Sequence, residues 1–470
     1  MTPSFHYVDT SHARKVKKMI QNLNQNEITM QIVKYLKEAK KTELQVLLDE
    51  LHPYDIARTY EALPDNHQNK FLSFLDITQL AEMLQELEKE QQLNVLNKLG
   101  VEKASIVLDK MDNDDLASLL EELTPEKQKA FLSGMNQEES QAVQSLMKYA
   151  PETAGRIMTN RFVWIPHHYS VRDVVDKLKV FAEIAETINY LYIIDDEKKL
   201  VGVTSYRDLI LADANEPIHN IMFERVISVT VDTDQEEAAR IIQRYDFMAV
   251  PVVDKDNVLV GIVTVDDIID VVVQEATEDI EKLSASGKNI DFDTKPIAAA
   301  SRRLPWLILL LFIGLIAGTI VSTFEQTLEK VVALAFFMPM ISGMTGNTGT
   351  QSLAVVVRGL ITREIDNQVV IKLILRELLV GVMIGVTCGI LISVITFIWR
   401  GDPILGLVIG STLIITLIIG TLAGTIIPLI LHRFKIDPAV ASGPLITTLN
   451  DVLSLFIYFG IATLFINRLM

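Results

Sequence analysis

A single carboxylate lies inside an otherwise apolar stretch near the carboxyl end of this 470-residue chain. Asp451 is the only charged residue between Pro438 and Asn467, and the residues around it are typical of a membrane helix. A charge at mid-bilayer depth is costly, so such an acid faces a partner or a water-filled path. The pattern therefore predicts that Asp451 meets a cation crossing the membrane.

Polar side chains accompany this acid in the same stretch. Mg²⁺ keeps several of its waters while one or two carboxylates hold it, and a hydroxyl-rich stripe suits such a hydrated ion. Two other interpretations stay open, namely an ion pair of Asp451 with Arg376 or Lys372, and a proton-carrying acid. The accompanying residues are Thr447, Thr448, Asn450 and Ser454.

A second apolar run is interrupted by the residues 339–352. Every position from Thr345 to Ser352 is polar or glycine. Non-helical backbone at membrane depth is tolerated where it lines a cavity or packs against protein, so we expect this segment to break the helix. Close helix packing through small residues is the alternative. Asn347 and Gln351 favour a polar path.

Five apolar runs are each long enough to span a hydrocarbon core of about 30 Å at about 1.5 Å per residue. They are 304–323, 331–357, 378–399, 403–431 and the run that holds Asp451. The first twenty residues are polar, so we expect no signal peptide and a cytoplasmic N-terminus. Basic residues are more frequent in the loops that this puts inside, and five spans put the C-terminus outside.

The charge is uneven along the chain. The net charge is −17, yet the residues from Leu304 onward carry nine basic and eight acidic side chains. The acidity of the part before them argues against nucleic acid and anionic lipid as partners and suits a domain that meets cations, although solubility alone would also explain it. The single Cys388 excludes an intrachain disulfide and a thiolate metal cluster.

The first 150 residues contain a helical repeat. The seventeen residues from Leu80 align with those from Leu116, and a weaker copy begins at Ile56. Each unit is too short to bury its own apolar stripe, so stacked copies predict a small helical solenoid. We find no catalytic motif here.

A second repeat has a constant offset of 59 residues. The segment 192–210 matches 251–269, and each copy reads as strand, acidic turn, strand and helix start. An Ile-Met pair precedes each copy, at 157–158 and at 221–222. The pattern puts Asp208 and Asp267 at helix N-termini, where a carboxylate caps free N–H groups.

An acidic helix follows the second copy, over residues 266–283. Asp267 and Glu278 share one face, and Glu275 and Asp279 share the adjoining one. Like charges so placed repel unless cations or basic groups lie between them. A solvated acidic face is the alternative interpretation.

The two copies resemble the cystathionine-β-synthase (CBS) domain, and the whole order resembles the MgtE magnesium transporter family. The most specific segments are 346–349 (Gly-Asn-Thr-Gly), 276–280 (ATEDI), 231–237 (VDTDQEE) and Asp451. The resemblance implies a homodimeric Mg²⁺-selective channel and no enzymatic activity. It also implies that cytosolic Mg²⁺ closes the pore, that ATP binds at the CBS pair, and that the chain maintains magnesium homeostasis in the cell (inner) membrane. A proton-coupled carrier of Co²⁺, Ni²⁺ or Zn²⁺ and a membrane-held nucleotide sensor stay as alternatives.

The resemblance implies a multidomain membrane protein. We expect an all-α N-terminal helical solenoid at 1–150 and an α/β tandem CBS pair at 151–213 and 214–275. A connecting (plug) helix and linker at 276–303 and a five-helix transmembrane domain at 304–470 complete the prediction.

The same resemblance assigns site residues. The pore residues are Asp451, Asn347 and Asp437. The regulatory Mg²⁺ ligands are Glu82, Asp114, Asp234, Glu236, Asp246, Asp267, Asp270, Glu275, Glu278 and Asp279. The nucleotide contacts are Arg207, Asp208 and Phe247. Ser118 and Gly443 depart from residues that relatives can carry, an acid and an asparagine respectively.

Overall fold

The computed structural model describes residues 24–286, 290, 294–362 and 366–469. The parts of the predicted solenoid, linker and membrane domain that fall in the gaps lie outside the described residues. The chain divides into two compact units, Met1–Val272 and Val273–Met470.

From residue 24 to residue 150, the described part of the first unit is built from helices alone, which confirms the all-α prediction. Apolar residues at helical spacing bury one stripe of each helix, and the stripes form a continuous core. The helices are α1 (Gln25–Glu38), α2 (Lys41–Leu48), α3 (Pro53–Ala62), α4 (Asp65–Leu72), α5 (Ile77–Gln85), α6 (Lys89–Leu108), α7 (Asn113–Glu121), α8 (Pro125–Gly134) and α9 (Gln137–Leu146).

A glutamine at the same position of each repeat ties its helices together. The side-chain amide of Gln92 donates to the carbonyl of Leu84 at 2.8 Å, and that of Gln128 to the carbonyl of Leu120 at 3.5 Å. Gln68 makes the corresponding bonds in the weaker copy. Helix ends leave carbonyls without intrahelical partners, so these amides satisfy them in every unit.

The rest of the first unit contains two small sheets that confirm the tandem α/β pair. In each sheet the first strand is parallel to the second, and the second is antiparallel to the third. The first copy contains α10 (Ala154–Ile157), β1 (Trp164–Pro166), α11 (Val171–Ile184), β2 (Tyr190–Ile194), β3 (Leu200–Ser205) and α12 (Tyr206–Leu211). The second contains α13 (Ile218–Ile221), β4 (Val229–Thr230), α14 (Gln235–Tyr245), β5 (Ala249–Val253) and β6 (Leu259–Thr264).

The two copies are interlocked through the Ile-Met pairs. A β-carbon on Gly202 would lie 2.9 Å from Cγ of Met222, and one on Gly261 would lie 2.8 Å from Cγ of Met158. The methionine that precedes one copy therefore fills the space over the glycine of the other. Both glycines are needed for this close approach.

Helix α15 (Val265–Leu283) follows β6 and carries the chain into the second unit. Long apolar helices form most of that unit. They and the shorter helices between them are α16 (Pro296–Thr323), α17 (Glu325–Lys330), α18 (Met338–Thr362), α19 (Asn367–Arg400), α20 (Pro403–Arg433), α21 (Gly443–Leu464) and α22 (Ile466–Leu469).

Four of these helices, α16, α19, α20 and α21, are long and apolar enough to cross a membrane, within the described part of the chain. The remaining long helix, α18, has 25 residues and contains the polar, glycine-rich segment. It covers most of the second predicted span, whose first residues form a 3₁₀ turn at Val332–Phe336.

The expected break in this segment is wrong, because α18 is helical from Met338 to Thr362. Gly346 and Gly349 serve the alternative role, close packing. A β-carbon on Gly346 would lie 2.7 Å from Cγ2 of Thr447, and one on Gly424 of α20 would overlap the carbonyl of Gly349. Small residues let helix backbones approach within the membrane, and composition alone does not distinguish this from an unwound chain.

Candidate functional site

The isolated acid of the sequence lies on α21 and faces α18. Asp451 is half-buried and accepts a hydrogen bond from the hydroxyl of Ser342. It forms no ion pair with any described residue. Arg376 instead contacts Glu377 at 2.8 Å, so the structure does not support the ion pair considered above.

A polar cavity opens one turn before Asp451 on the same helix. Its volume is about 850 Å³. The hydroxyl oxygens of Thr447 on α21 and Thr350 on α18 lie 3.3 Å apart, so a hydrogen bond connects the two helices that line the cavity. Asn450 does not line this cavity. Its side chain is buried, and its amide donates to the carbonyl of Thr345 at 3.4 Å. The lining residues are Leu283, Asn347, Thr350, Gln351, Ala354, Gly443, Pro444, Thr447 and Thr448.

Asp437, the other predicted pore acid, contacts the end of α15. Lys282 lies 2.6 Å from Asp437 and 2.5 Å from Glu278, so this lysine bridges the two acids. Burial opposes the charge of Lys282, but the two carboxylates outweigh it and raise its pKa. Burial, followed by repulsion from Asp437, raises the pKa of Asp279 to about 6. Lys282 thus offsets the repulsion between Glu278 and Asp437, as expected where like charges lie close together.

The first unit holds a more crowded set of acids. One carboxylate oxygen each of Glu186, Asp266 and Asp267 lie within 4.8 Å of one another. Asp114, at the start of α7, is buried, and its Oδ1 has no hydrogen-bond partner among the described residues. Asp115 follows it on α7 and accepts from the side-chain amide of Gln85 at 2.9 Å. We call these five residues the acidic cluster.

The pKa values of the acidic cluster show the cost of this crowding. Withdrawal from water, followed by repulsion from neighbouring carboxylates, raises the pKa of Asp267 to about 8 and that of Glu186 to about 7. Withdrawal from water also raises the pKa of Asp115 to about 6, although Gln85 donates to it. The pKa of Asp114 is raised by burial and by Asp267. Carboxylate oxygens that repel one another are ready ligands for a hard divalent cation.

Sequence reasoning named Asp114 and Asp267 and missed Glu186, Asp266 and Asp115. Asp270 adds to the repulsion that raises the pKa of Asp115. Of the other predicted regulatory residues, Glu275, Glu278 and Asp279 lie on the part of α15 that belongs to the second unit.

The remaining predicted residues lie on α5 and on or at the ends of α14. Glu82 is exposed on α5. Asp234 caps α14 by accepting from the backbone N–H of Glu236 at 2.8 Å. Glu236 contacts Arg240 at 3.4 Å, and Asp246 ends the helix with a φ of 54°.

A separate cavity of about 340 Å³ lies between the two CBS copies. Asp208 lines it and lies in the first turn of α12, at a helix N-terminus as predicted. Ser205 is the N-cap of that helix, and its hydroxyl donates to the Asp208 carboxylate at 2.6 Å. Phe247 and Tyr190 meet edge-on across it, with ring centroids 6.3 Å apart. The arginine that lines it is Arg225, whereas Arg207 is exposed on α12 and outside the lining.

Two hydroxyls of this cavity are left without partners. Tyr192 and Thr204 both line it, and their oxygens are buried with no hydrogen-bond partner in the described structure. Buried polar groups normally form hydrogen bonds, so these two hydroxyls are positioned to bond a ligand or water in the cavity. Aromatic rings, a carboxylate and an arginine around such a space suit a nucleotide.

Comparison with known proteins gives matches along most of the chain. Residues 338–461 match the MgtE family described as a divalent cation transporter, and 51–152 match the MgtE intracellular N domain. Residues 154–215 and 218–274 each match the CBS domain. The magnesium transporter MgtE of Bacillus subtilis (strain 168) is 58% identical over 451 residues, which are 96% of this chain and 100% of the relative.

Solved structures match about half of the chain. The crystal structure of the soluble part of a magnesium transporter has a TM-score of 0.52 and 39% identity, covering 54% of this chain and 100% of that one. The cytosolic domain of the Mg²⁺ channel MgtE in complex with ATP has a TM-score of 0.50 and 35% identity, covering 52% of this chain and 99% of that one.

Proposed function

The chain belongs to the MgtE family of magnesium transporters, multi-pass membrane proteins rather than enzymes, and on that premise we propose that it is a homodimeric Mg²⁺ channel closed by cytosolic Mg²⁺. Asp451 is the acid of the pore in this proposal. The acidic cluster is the sensor, and the channel serves magnesium homeostasis.

The observation that carries the proposal is the environment of Asp451. Its described side-chain partner is a neutral hydroxyl, that of Ser342, so no described basic side chain competes with a passing cation for this carboxylate. The polar cavity one turn away offers amide and hydroxyl groups to the water shell of that cation. One acid per chain becomes two if a dimer axis runs along the pore, and Mg²⁺ is held by one or two carboxylates while it keeps several waters.

The acidic cluster supports the gating part of the proposal. Without a cation, its carboxylates repel, and the segments that carry them are pushed apart. Mg²⁺ bound between them replaces this repulsion with attraction through a shared ion. The ligand thereby favours the compact state by its difference in affinity for the two states, and no covalent chemistry is required.

Helix α15 is the connection between sensor and pore in this proposal. Asp266 and Asp267 lie in its first turn, and Glu278, Asp279 and Lys282 lie near its end. Lys282 contacts Asp437, which directly precedes the 3₁₀ turn before α21. A change at the first turn is transmitted along a continuous helix to the segment that leads into the helix of Asp451.

ATP at the cavity between the CBS copies is the further regulator we propose. The unpartnered hydroxyls of Tyr192 and Thr204 are available to a ligand there. Phe247 and Tyr190 provide aromatic faces for a base, and Asp208 is available to a ribose. The related cytosolic domain that was crystallised in complex with ATP supports this assignment.

The proposed location is the cell (inner) membrane, with the N-terminus in the cytoplasm and the C-terminus outside. The basic residues near the proposed inner membrane ends support this orientation. They include Arg302, Arg303, Arg433 and Lys435.

Purified protein in liposomes tests the proposal. Mg²⁺ entry should occur without a proton gradient. It should fall when Mg²⁺ is present on the side of the membrane that carries the first unit. Entry that requires a proton gradient would instead indicate a proton-coupled carrier. Absence of Mg²⁺ entry in vesicles that contain folded protein would leave only the sensor function.

A further inference from the structure

Two consecutive histidines and an aspartate meet at one edge of the first CBS sheet. Strands β1 and β2 are parallel, with Pro166 opposite Ile194 at their ends. His167 and His168 directly follow β1, and Asp196 is the second residue after β2. The carboxyl ends of parallel neighbours lie at the same edge, so the topology brings three possible metal ligands together.

The side chains of these three residues converge. One ligand atom from each, an imidazole nitrogen from either histidine and a carboxylate oxygen, lies within 4.8 Å of the other two. Metal–ligand bonds near 2 Å put ligand atoms about 3 to 4 Å apart around one ion. Small rotations of side chains are therefore enough to complete a site.

The backbone that carries the three residues is fixed by hydrogen bonds. The N–H of His167 donates to the carbonyl of Ile194 at 3.0 Å. Asp195 accepts from the N–H of Glu197 at 2.9 Å and from that of Lys199 at 2.8 Å, which holds the turn. Asp195 thus serves the turn, and its neighbour Asp196 is left for another role.

The candidate ligands have few competing interactions. Nδ1 of His167 is buried and has no hydrogen-bond partner among the described residues, so no bond to that atom holds the ring away from the other ligands. Asp196 forms no ion pair within the described ranges. Two lysines near these residues have partners of their own: Lys199 contacts Glu197 at 2.7 Å, and Lys177 donates to Tyr169.

We propose that His167, His168 and Asp196 bind a divalent transition metal ion, of the class of Zn²⁺, Ni²⁺ and Co²⁺. Imidazole nitrogen suits these ions, whereas Mg²⁺ takes oxygen ligands almost exclusively. Three protein ligands leave further positions to water. The site is separate from the cavity between the CBS copies, because Tyr190, which lines that cavity, lies at the opposite end of β2. It also shares no residue with the acidic cluster, which is built from carboxylates alone.

The test is Zn²⁺ binding to the full-length protein, purified without a polyhistidine tag and kept in excess Mg²⁺ so that carboxylate sites are filled. A competing chromophoric chelator reports the affinity and the number of ions bound. We expect one tight Zn²⁺ per chain, which Mg²⁺ does not displace. His168→Ala and Asp196→Asn should each weaken it by about tenfold or more, the loss expected when a metal site is disturbed.

The matched controls are His219→Ala and Asp213→Asn, which change exposed residues in the same copy or just after it. They should leave Zn²⁺ binding unchanged. His167→Ala is the less suitable probe because its ring is partly buried, and the exposed positions His168 and Asp196 keep the test independent of folding.

Cobalt gives a second measurement. Co²⁺ bound by two imidazoles and a carboxylate should show a visible absorption band that the His168→Ala variant loses. The proposal is overturned if this variant and Asp196→Asn bind Zn²⁺ as the unmodified protein does. It is equally overturned if the control variants lose binding to the same extent.

Discussion

The two acidic regions of this protein are built in opposite ways. In the first unit, the acidic cluster places five carboxylates near one another, and repulsion between them contributes to the raised pKa values of Asp267, Glu186 and Asp115. In the second unit, Asp451 is the only acid of its helix, and its described side-chain partner is a serine hydroxyl. The first arrangement stores repulsion, whereas the second presents one charge.

This difference fits two different tasks for the same ion. A crowded set of acids changes its own energy when a cation binds, which makes it suitable as a switch. A single acid with water-compatible neighbours attracts a cation without holding it permanently, and conduction requires an ion to leave as well as enter. The following predictions test whether the two regions have these separate roles.

Substitution of Asp451 should have the largest effect. Asp451→Asn keeps the size of the side chain but removes the charge, so we expect Mg²⁺ uptake to fall below detection while the folded protein persists. The control is Asp402→Asn, because asparagine retains the helix cap that Asp402 provides to Ile404. Normal uptake by a well-expressed Asp451→Asn protein would contradict the pore role.

The glycines of the membrane unit give the next largest effect. Gly424→Ala puts a β-carbon against the carbonyl of Gly349, a backbone atom that cannot turn aside. We expect a loss of about 1–3 kcal/mol in stability from overpacking, measured as a lower unfolding temperature in detergent. Gly343→Ala is the matched control, since nothing lies within 4 Å of its added carbon. Equal tolerance of both changes would argue against close packing.

Removing charge from α15 should change gating and leave conduction. In the combined variant Asp267→Asn, Glu275→Gln, Glu278→Gln and Asp279→Asn, Mg²⁺ loses its differential affinity for the closed state, and a ligand with equal affinity for two states shifts nothing. We expect the inhibition curve for cytosolic Mg²⁺ in patch recordings to move by tenfold or more. An unshifted curve would mean that these acids are only a solvated face.

The smallest effect is a dependence of stability on pH. The carboxyls of Asp267 and Glu186 have raised pKa values in the folded protein, so the folded state binds more protons than the unfolded state between about pH 4 and pH 8. Without Mg²⁺, the unfolding temperature should therefore fall as the pH rises through this range. Added Mg²⁺ should raise it more at pH 8 than at pH 6.

A variant of the acidic cluster separates this effect from that of other acids. Mg²⁺ should raise the unfolding temperature of the double variant Glu186→Gln, Asp267→Asn by more similar amounts at pH 6 and at pH 8. A stabilisation by Mg²⁺ that is as large at pH 6 as at pH 8 would show that the cluster is not where Mg²⁺ displaces protons.

Sequence periodicity predicted the architecture well because the architecture is repeated. Gln92 and Gln128 matched in the sequence, and both serve the same helix-end carbonyls in the structure. The 59-residue offset of the CBS copies extends to the position of the irregularity in each strand pair, at Ile193/Ile194 and at Val252/Val253. Repeats can be recognised in a sequence because matching residues in one copy support the interpretation of the other.

Contacts between distant residues were less predictable. Glu186 follows the end of α11, in a segment without regular structure, and nothing in its neighbourhood indicates that it meets Asp267. The partner of Asp451, Ser342, is 109 positions away. The glycine-rich segment was misjudged because polar composition resembles an unwound chain, whereas the packing of Gly346 and Gly349 against neighbouring helices stabilises a helix.

The exchange of methionines between the CBS copies has a consequence for synthesis. Met158 has already been synthesised when Gly261 leaves the ribosome. The space over Gly261 can therefore be filled by Met158 as soon as β6 forms. Gly202, by contrast, must wait for Met222, which is synthesised twenty residues later. The first copy therefore stays open on the nascent chain until the segment that begins the second has emerged. The order of translation thus couples the completion of one half to the arrival of the other.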